Sequence, residues 1–535
     1  MTKQSFIKGT MILLAAGIVN RILGFVPRIA LPRVIGAEGV GLYQLGYPFF
    51  IVILTIITGG IPLAIAKLVA EAETEGNERK VKAVLRTSLL ITVAASVFFT
   101  ILCIVAAPWI TTHVIPDSRV YYTFLSMTPM IIIVGISSVY RGYFQGRHNM
   151  IPTAVSGLVE TVIRIFAMLG FSYLMLPYGI EFAAAGAMLG VLAGELGGIA
   201  VLLGQYNLTI RKLATQAESP GTLREEAVTG QQREGAKKSY AFGLPYLGKL
   251  MRISIPVTGG KLVGSFSYLF ESIMIARSLA IAGVATGVAT AQYGALQGMV
   301  IPLLLLPSAL TYSLAVSLVP SLSEAAARGD QLTIHKRLHQ SLRLALVTGA
   351  PCAVLLYVLA EPLCLIMYGS TETAGMLKMM APFGLFIYFQ APLQATLQAL
   401  NKPGTALFNT FVGASIKLIL IYQLATQPEL GITGAVIAIC VNVFLVTVLH
   451  GGSVMRLLNF RMKMTDFLKV GGGMAGMALT VACVTRQAWT DSLPLQFTAA
   501  AVSGVFVYLL FMIWFGLIDR ADLQRLLWMG RKIVK

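Results

Sequence analysis

The sequence predicts an all-α polytopic membrane protein with 14 transmembrane helices, arranged as two pseudo-symmetric six-helix lobes plus two further helices. Three observations carry that expectation. Of the 535 residues, 56% are apolar and only 12% are charged, about half the charged share of an ordinary soluble domain. Apolar runs of the ~20 residues that cross a bilayer recur along the whole chain. A motif set near residues 39–77 and 143–154 returns near 290–330 and 396–406.

The expected crossings are 8–34, 43–69, 84–107, 119–143, 150–175, 182–205, 251–280, 291–319, 339–363, 378–400, 403–426, 431–455, 466–486 and 494–517. The first continues past Arg21 and lacks a convincing A-x-A site, so it reads as an uncleaved helix rather than a signal peptide. An even number of crossings puts both termini on one side. The basic residues of the connections then fall unevenly. The terminal side holds Arg79, Lys80, Lys82, Arg86, Arg141, Arg147, Arg328, Lys336, Arg337, Arg456, Arg461, Lys463, Lys469 and the tail Arg520–Lys535, while the opposite side holds Arg33, Arg119, Lys378 and Arg486. Short cytoplasmic loops are the basic ones, so both termini are expected in the cytoplasm of a cell-membrane protein. The net charge of +18 is thereby topological, and no nucleic-acid partner is expected.

The 206–250 stretch, with QAESPGTLREEAVTGQQREGAKKS, is polar, mixed in charge and without periodicity. It reads as a cytoplasmic linker. Across it the repeat is visible: PLAIAKLVAEAETEGN at Pro62–Asn77 answers SLAVSLVPSLSEAAARGD at Ser313–Asp330, and YFQGRHNMIPTA answers TLQALNKPGTA. The expected divisions are therefore 1–205 for the N-lobe with helices 1–6, 206–250 for the linker, 251–457 for the C-lobe with helices 7–12, and 458–535 for helices 13–14 and a basic cytoplasmic tail.

Charges at bilayer depth are costly, about 2.5–3.5 kcal/mol each on insertion scales, and usually face a bundle interior or a watery cavity. Arg21 and Arg28 lie seven residues apart in the first segment, on one helical face, with Pro27 expected to kink the helix between them. The seventh segment adds Lys261, Glu271 and Arg277. Arg21, Arg28, Lys261 and Arg277 are read as the cationic wall of a substrate-binding cavity. Bidentate arginine contacts suit a pyrophosphate. Glu160 and Arg164, four residues apart, read as a structural ion pair. Glu271 and Glu195 are candidate ion-coupling acids. For Glu195 and Lys417 a lobe-filling role stands beside the functional one.

Neither metal nor cofactor is expected. Cys103, Cys352, Cys364, Cys440 and Cys483 sit in apolar runs without C-x-x-C spacing. The chain carries no Walker A loop, G-x-S-x-G or H-E-x-x-H, so it reads as a non-enzyme driven by an ion gradient, a voltage or the substrate gradient.

With these residues in view, the chain resembles the multidrug/oligosaccharidyl-lipid/polysaccharide (MOP) exporter superfamily. N-R-I-L-G-F followed by R-V-I-G-A-E-G resembles the first-helix signature of MurJ-type lipid II flippases. K-Q-S-F-I-K-G-T, G-V-G-L-Y, K-L-V-A-E-A, R-G-Y-F-Q-G, P-Y-G-I-E-F-A-A-A-G-A-M-L, S-L-A-I-A-G-V-A and M-A-P-F resemble the stage V sporulation protein B (SpoVB) branch. The resemblance implies a lipid-linked oligosaccharide as cargo, alternating access, a role in spore cortex peptidoglycan assembly, and peptidoglycan synthases of the sporulation machinery as partners. Arg21 falls on the flippases' first-helix arginine. Their next arginine aligns with Pro27, with Arg28 displaced by one, and their second-helix arginine aligns with Val52, so Lys261 and Arg277 are candidate substitutes. Three other readings compete: a flippase for an exopolysaccharide repeat unit, a cation-coupled drug exporter, and a scaffold that recruits synthases. The excess of basic residues opposes the drug exporter, and the embedded charges oppose the scaffold.

Overall fold

The computed structural model describes residues 16–217, 244–487 and 490–517. Most of the 206–250 linker and the basic tail lie outside the described residues. Those described are almost all helical, with no strand among them. Eleven helices among them are long and apolar enough to cross a membrane. They fall into two compact units: Met1–Ala276 with Thr286–Gly294, and Arg277–Ala285 with Ala295–Lys535.

In the first unit, α1 covers residues 16–23 and α2 Val26–Thr58. The break expected at Pro27 falls at Gly24–Phe25, and Pro27 sits in the first turn of α2, where its missing N–H has no helical partner to lose. α2 turns again at Gly36, whose φ of 66° suits only a residue without Cβ. The segment expected at 43–69 is likewise interrupted. α2 ends at Thr58, Gly59 and Gly60 form the joint, and α3 runs Ile61–Thr74. Then follow α4 (Glu78–Trp109), α5 (Val120–Gly146), α6 (Ile151–Met175), α7 (Ile180–Ala217), the unit's share of α8 (Leu244–Ile281), and the nine-residue α9 (Thr286–Gly294).

Two apolar clusters hold this unit. Leu31, Phe50, Phe124, Met130 and Met188 form one, and Ile65, Val84, Phe144, Leu202 and Leu250 the other. α6 and α7 approach most closely, along a stripe of glycines four residues apart. A Cβ on Gly186 would lie 2.7 Å from the Phe171 carbonyl oxygen, one on Gly190 2.1 Å from Met168 Cα, and one on Gly194 2.8 Å from the Glu160 carbonyl oxygen. Without a hydrophobic drive between helices in lipid, such small-residue contact lets the backbones touch.

The second unit begins its own run after α9. Ala295–Val300 is a π turn, followed by α10 (Ile301–Leu305) and α11 (Ser308–Ala327). The single helix expected over 291–319 is thus broken. Pro302 and Pro307 remove two of the amide donors that would have continued it. Tyrosines occupy carbonyls near these breaks: the Tyr368 hydroxyl donates to Met299 O and the Tyr388 hydroxyl to Leu304 O, each at 3.0 Å. α12 (Gln331–Val358), α13 (Ala360–Tyr368), α14 (Ala374–Ala399), α15 (Pro403–Ala425), α16 (Ile432–Leu458), α17 (Met464–Arg486) and α18 (Leu493–Trp514) complete the unit. The end of α18 is capped by two cations. Lys469 donates to Phe515 O at 2.8 Å, and Arg343 Nε to Leu517 O at 3.1 Å.

The sequence repeat has a local structural counterpart. Gly76 and Gly329 are both left-handed, at φ 65° and 69°. The next residue in each case, Asn77 or Asp330, accepts a hydrogen bond at 3.0 Å from the backbone N–H three positions on, capping α4 and α12.

Candidate substrate-binding face

The polar residues of the first unit gather around the paired tyrosines of α2. Tyr43 and Tyr47, one turn apart, stack with ring centroids 6.1 Å apart. The charges of Arg28 and Arg164 both act on their hydroxyls, and Glu195 and Glu160 act on Tyr47 as well. Tyr268 of α8 feels Arg28, Glu271 and both α2 tyrosines. One arginine foreseen as a cavity cation therefore lies within electrostatic range of three tyrosine hydroxyls, each able to donate to an anion. Arg28 and Arg21 are exposed, so neither is spent in the apolar packing of the unit.

Glu160 does more than the local pair implies. Arg164 Nη1 lies 3.2 Å from Glu160 Oε1, and Arg141 of α5 approaches Oε2 more closely, at 2.8 Å. Glu195, beside Glu160, joins the same network from α7. The glycine stripe sets this placement, because Gly194 and Gly198 lie against Glu160 and let α7 deliver Glu195 to it. Arg141 enters the sequence reading only as a topological charge, and nothing in its local spacing points to a partner 19 residues away.

Lys261 is exposed, yet its Nζ donates to the Gly59 carbonyl at 2.7 Å. It sits on a polar stripe of α8 facing the α2–α3 joint. A Cβ on Gly60 would lie 2.3 Å from the Ser254 carbonyl oxygen, one on Gly59 3.1 Å from Thr258 Oγ1, and Ser265 Oγ is 2.8 Å from Thr55 Oγ1. Residues 254, 258, 261 and 265 recur at helical spacing, a signal present in the sequence but overshadowed by the charges. The Lys261 cation thus meets the negative end of α2. Glu271 is buried, 8% exposed. Arg277 opens the second unit's share of α8 and is exposed. Lys417 of α15 is buried in the second unit.

Apolar spans, interrupted helices and a charged, tyrosine-lined face define a multi-pass membrane protein of transporter fold. The chain is similar over 94% of its length to 99% of the solved lipid II flippase MurJ in an inward closed conformation, with a TM-score of 0.68 at 16% identity. It is 41% identical, across the full length of both chains, to stage V sporulation protein B of Bacillus subtilis (strain 168). It is 25% identical to lipid II flippase MurJ of the same organism, over 84% of this chain and 82% of that one. Residues 6–326 match the family described as polysaccharide biosynthesis protein, and the chain belongs to that family, in the SpoVB/MurJ-like branch of the MOP superfamily.

Proposed function

We propose that the chain is a membrane flippase for an undecaprenyl-pyrophosphate-linked oligosaccharide, and that its cargo is the lipid II-type peptidoglycan precursor used in spore cortex synthesis. The observation that carries this reading is the polar face of the first unit, where the stacked Tyr43 and Tyr47 lie within electrostatic range of Arg28 and Arg164. Arg21, Arg28, Lys261 and Arg277 outnumber Glu271, the one acid at bilayer depth in their two segments, and such an excess in a lipid-exposed chain suits a diphosphate. The full-length likeness to stage V sporulation protein B and the likeness to lipid II flippase MurJ support the cargo class.

In this reading the chain crosses the membrane 14 times, with lobes 1–205 and 251–457 joined by the cytoplasmic 206–250 linker, then helices 13–14 and a basic tail in 458–535. Both termini are cytoplasmic, transport proceeds by alternating access, and Arg21, Arg28, Lys261 and Arg277 contact the cargo, with Glu271 and Glu195 as the acids for a coupling ion. Synthases of the sporulation machinery receive the product. The test is rescue of cells depleted of their lipid II flippase. The wild-type chain restores growth, and Arg21→Ala and Arg28→Ala accumulate but do not. Normal rescue by both variants removes the cationic face from the mechanism. The description of the matching family as polysaccharide biosynthesis protein favours a second reading, an exopolysaccharide repeat unit as cargo. It predicts no rescue in that strain and restored export in a repeat-unit flippase mutant.

A further inference from the structure

Away from the cationic face, one buried acid ties together three separate stretches of the first unit. Asp117, in the short connection between α4 and α5, is 3% exposed. Its Oδ1 accepts from the Arg119 backbone N–H at 3.1 Å and from Arg119 Nε at 3.0 Å. Its Oδ2 accepts from Arg119 Nη2 at 2.8 Å and from the Thr290 hydroxyl of α9 at 2.7 Å. Arg119 Nη1 then donates to Glu38 Oε1 of α2 at 2.7 Å.

Beneath these contacts α9 rests on bare backbone. A Cβ on Gly41 would lie 2.0 Å from the Thr290 carbonyl oxygen, and one on Gly294 2.2 Å from the Ala37 carbonyl oxygen. The seat is made by glycine on both sides, so it holds little interlocking side-chain volume. α9 is nine residues long and is bounded by Gly283, left-handed at φ 78°, and by the π turn Ala295–Val300. The chain passes from the first unit to the second at Gly294–Ala295.

We propose that Glu38, Asp117, Arg119 and Thr290 form a latch that docks α9 on the first unit, and that the latch opens and recloses in each transport cycle. Three features support a releasable contact. The hydrogen bonds come from separate segments and converge on one carboxylate, so losing the Thr290 contact removes this polar tie to α9 while Asp117 keeps Arg119. Arg119 and Glu38 are each one-third exposed, so water can replace their partners as α9 leaves. The flanking glycine and π turn provide the backbone freedom for a rigid short helix to swing. The groups facing Asp117 are Arg119 and Thr290, with Glu38 one step further.

The inference rests on the alternating-access reading, and its test reads conformation separately from cargo. The full chain, with its five cysteines replaced, carries Val40→Cys beside the seat, where Val40 is 3% exposed. In oriented proteoliposomes a membrane-impermeant maleimide is added on the side of the 115–119 connection. Thr290→Val, which keeps the shape and removes the hydroxyl, is expected to raise the labelling rate about tenfold, the factor associated with losing one hydrogen bond to a charged group. Asp117→Asn is expected to raise it further. Labelling unchanged in both variants overturns the latch. In a second arm, Ala37→Cys and Ala291→Cys, neither a latch residue and lying on the facing stretches of α2 and α9, are joined by a short reducible cross-linker. Flipping of lipid II is expected to stop on cross-linking and return on reduction. Continued flipping by the cross-linked protein overturns the latch. Absence of lipid II flipping even before cross-linking overturns the cargo assignment and leaves the labelling arm to decide the latch.

Discussion

Lys261 Nζ donates to the Gly59 carbonyl, joining α8 to the break between α2 and α3 at 2.7 Å. A lysine foreseen as a cavity cation is therefore also the cap on a helix end.

The two roles separate on substitution. Lys261→Met leaves the Gly59 carbonyl to water and removes a charge-assisted hydrogen bond, normally about 1.5–3 kcal/mol and nearer the lower end for an exposed chain. We expect protein level to fall by less than about twofold and flipping per molecule by about tenfold or more, with Lys261→Arg restoring level but only part of the rate. Flipping that tracks protein level in both variants would confine Lys261 to the structural role.

Glu160 is shared by Arg141 and Arg164, so neutralising it strands two cations rather than one. Glu160→Gln is expected to lower membrane protein level more than Arg164→Ala, because breaking a partly buried pair from the carboxylate side leaves uncompensated charge. The double variant Glu160→Gln with Arg141→Gln should recover part of that loss. Quantitative blots of the three variants decide it. Equal levels in all of them would make the network dispensable for folding.

The α6–α7 stripe predicts a position-specific cost. A Cβ on Gly190 meets Met168 backbone at 2.1 Å, whereas one on Gly170 meets nothing within 4 Å. Gly190→Ala should therefore destabilise by about 1–3 kcal/mol, the usual cost of overpacking, and lower the Tm of the purified protein. Gly170→Ala should be neutral or slightly stabilising. Matching melting curves would show that α6 and α7 are not held by this contact.

Asp117 sets a pH dependence outside the membrane spans. Burial raises its pKa, but hydrogen bonds from Arg119 and Thr290 outweigh burial and hold it below the ordinary 3.8. A lowered folded value means the stabilisation is complete above 3.8 and fades as pH falls through the still lower folded value. The Tm difference between wild type and Asp117→Asn should stay constant from neutral pH down to about 4, and close only below it. A difference that shrinks between pH 7 and 5 would show that another group governs the contact.

Helical class, membrane character and the internal repeat were legible because apolar run length and punctuation are local properties. Gly-Asn and Gly-Asp announce a left-handed glycine and an N-cap, and the structure has both at Gly76–Asn77 and Gly329–Asp330. The helix breaks were less legible. Gly59–Gly60 sits in an unbroken apolar run, and its interruption depends on Ser254 and Lys261 of α8, some two hundred residues away. The site was legible in its charges and not in their partners. Arg28 was visible as a cation at bilayer depth, but the Tyr43–Tyr47 stack within its electrostatic range looks in the sequence like an ordinary aromatic pair. Arg119 was counted only as a loop charge, because its meeting with Glu38, and that of Asp117 with Thr290, requires three distant segments to fold together.

The equivalent turns carry a consequence for the geometry of the two halves. The same number of residues separates Gly76 from Gly329, Asn77 from Asp330 and left-handed His148 from left-handed Asn401. Between the capped start of α4 and the turn after α5, and again between the capped start of α12 and the turn after α14, the chain leaves and returns over an identical contour length. A one-residue insertion inside one of these helices would rotate the remainder of that helix by about 100°, turning lipid-facing side chains inward. Each excursion thus tolerates substitution more readily than a change of length, and the two share one count of residues.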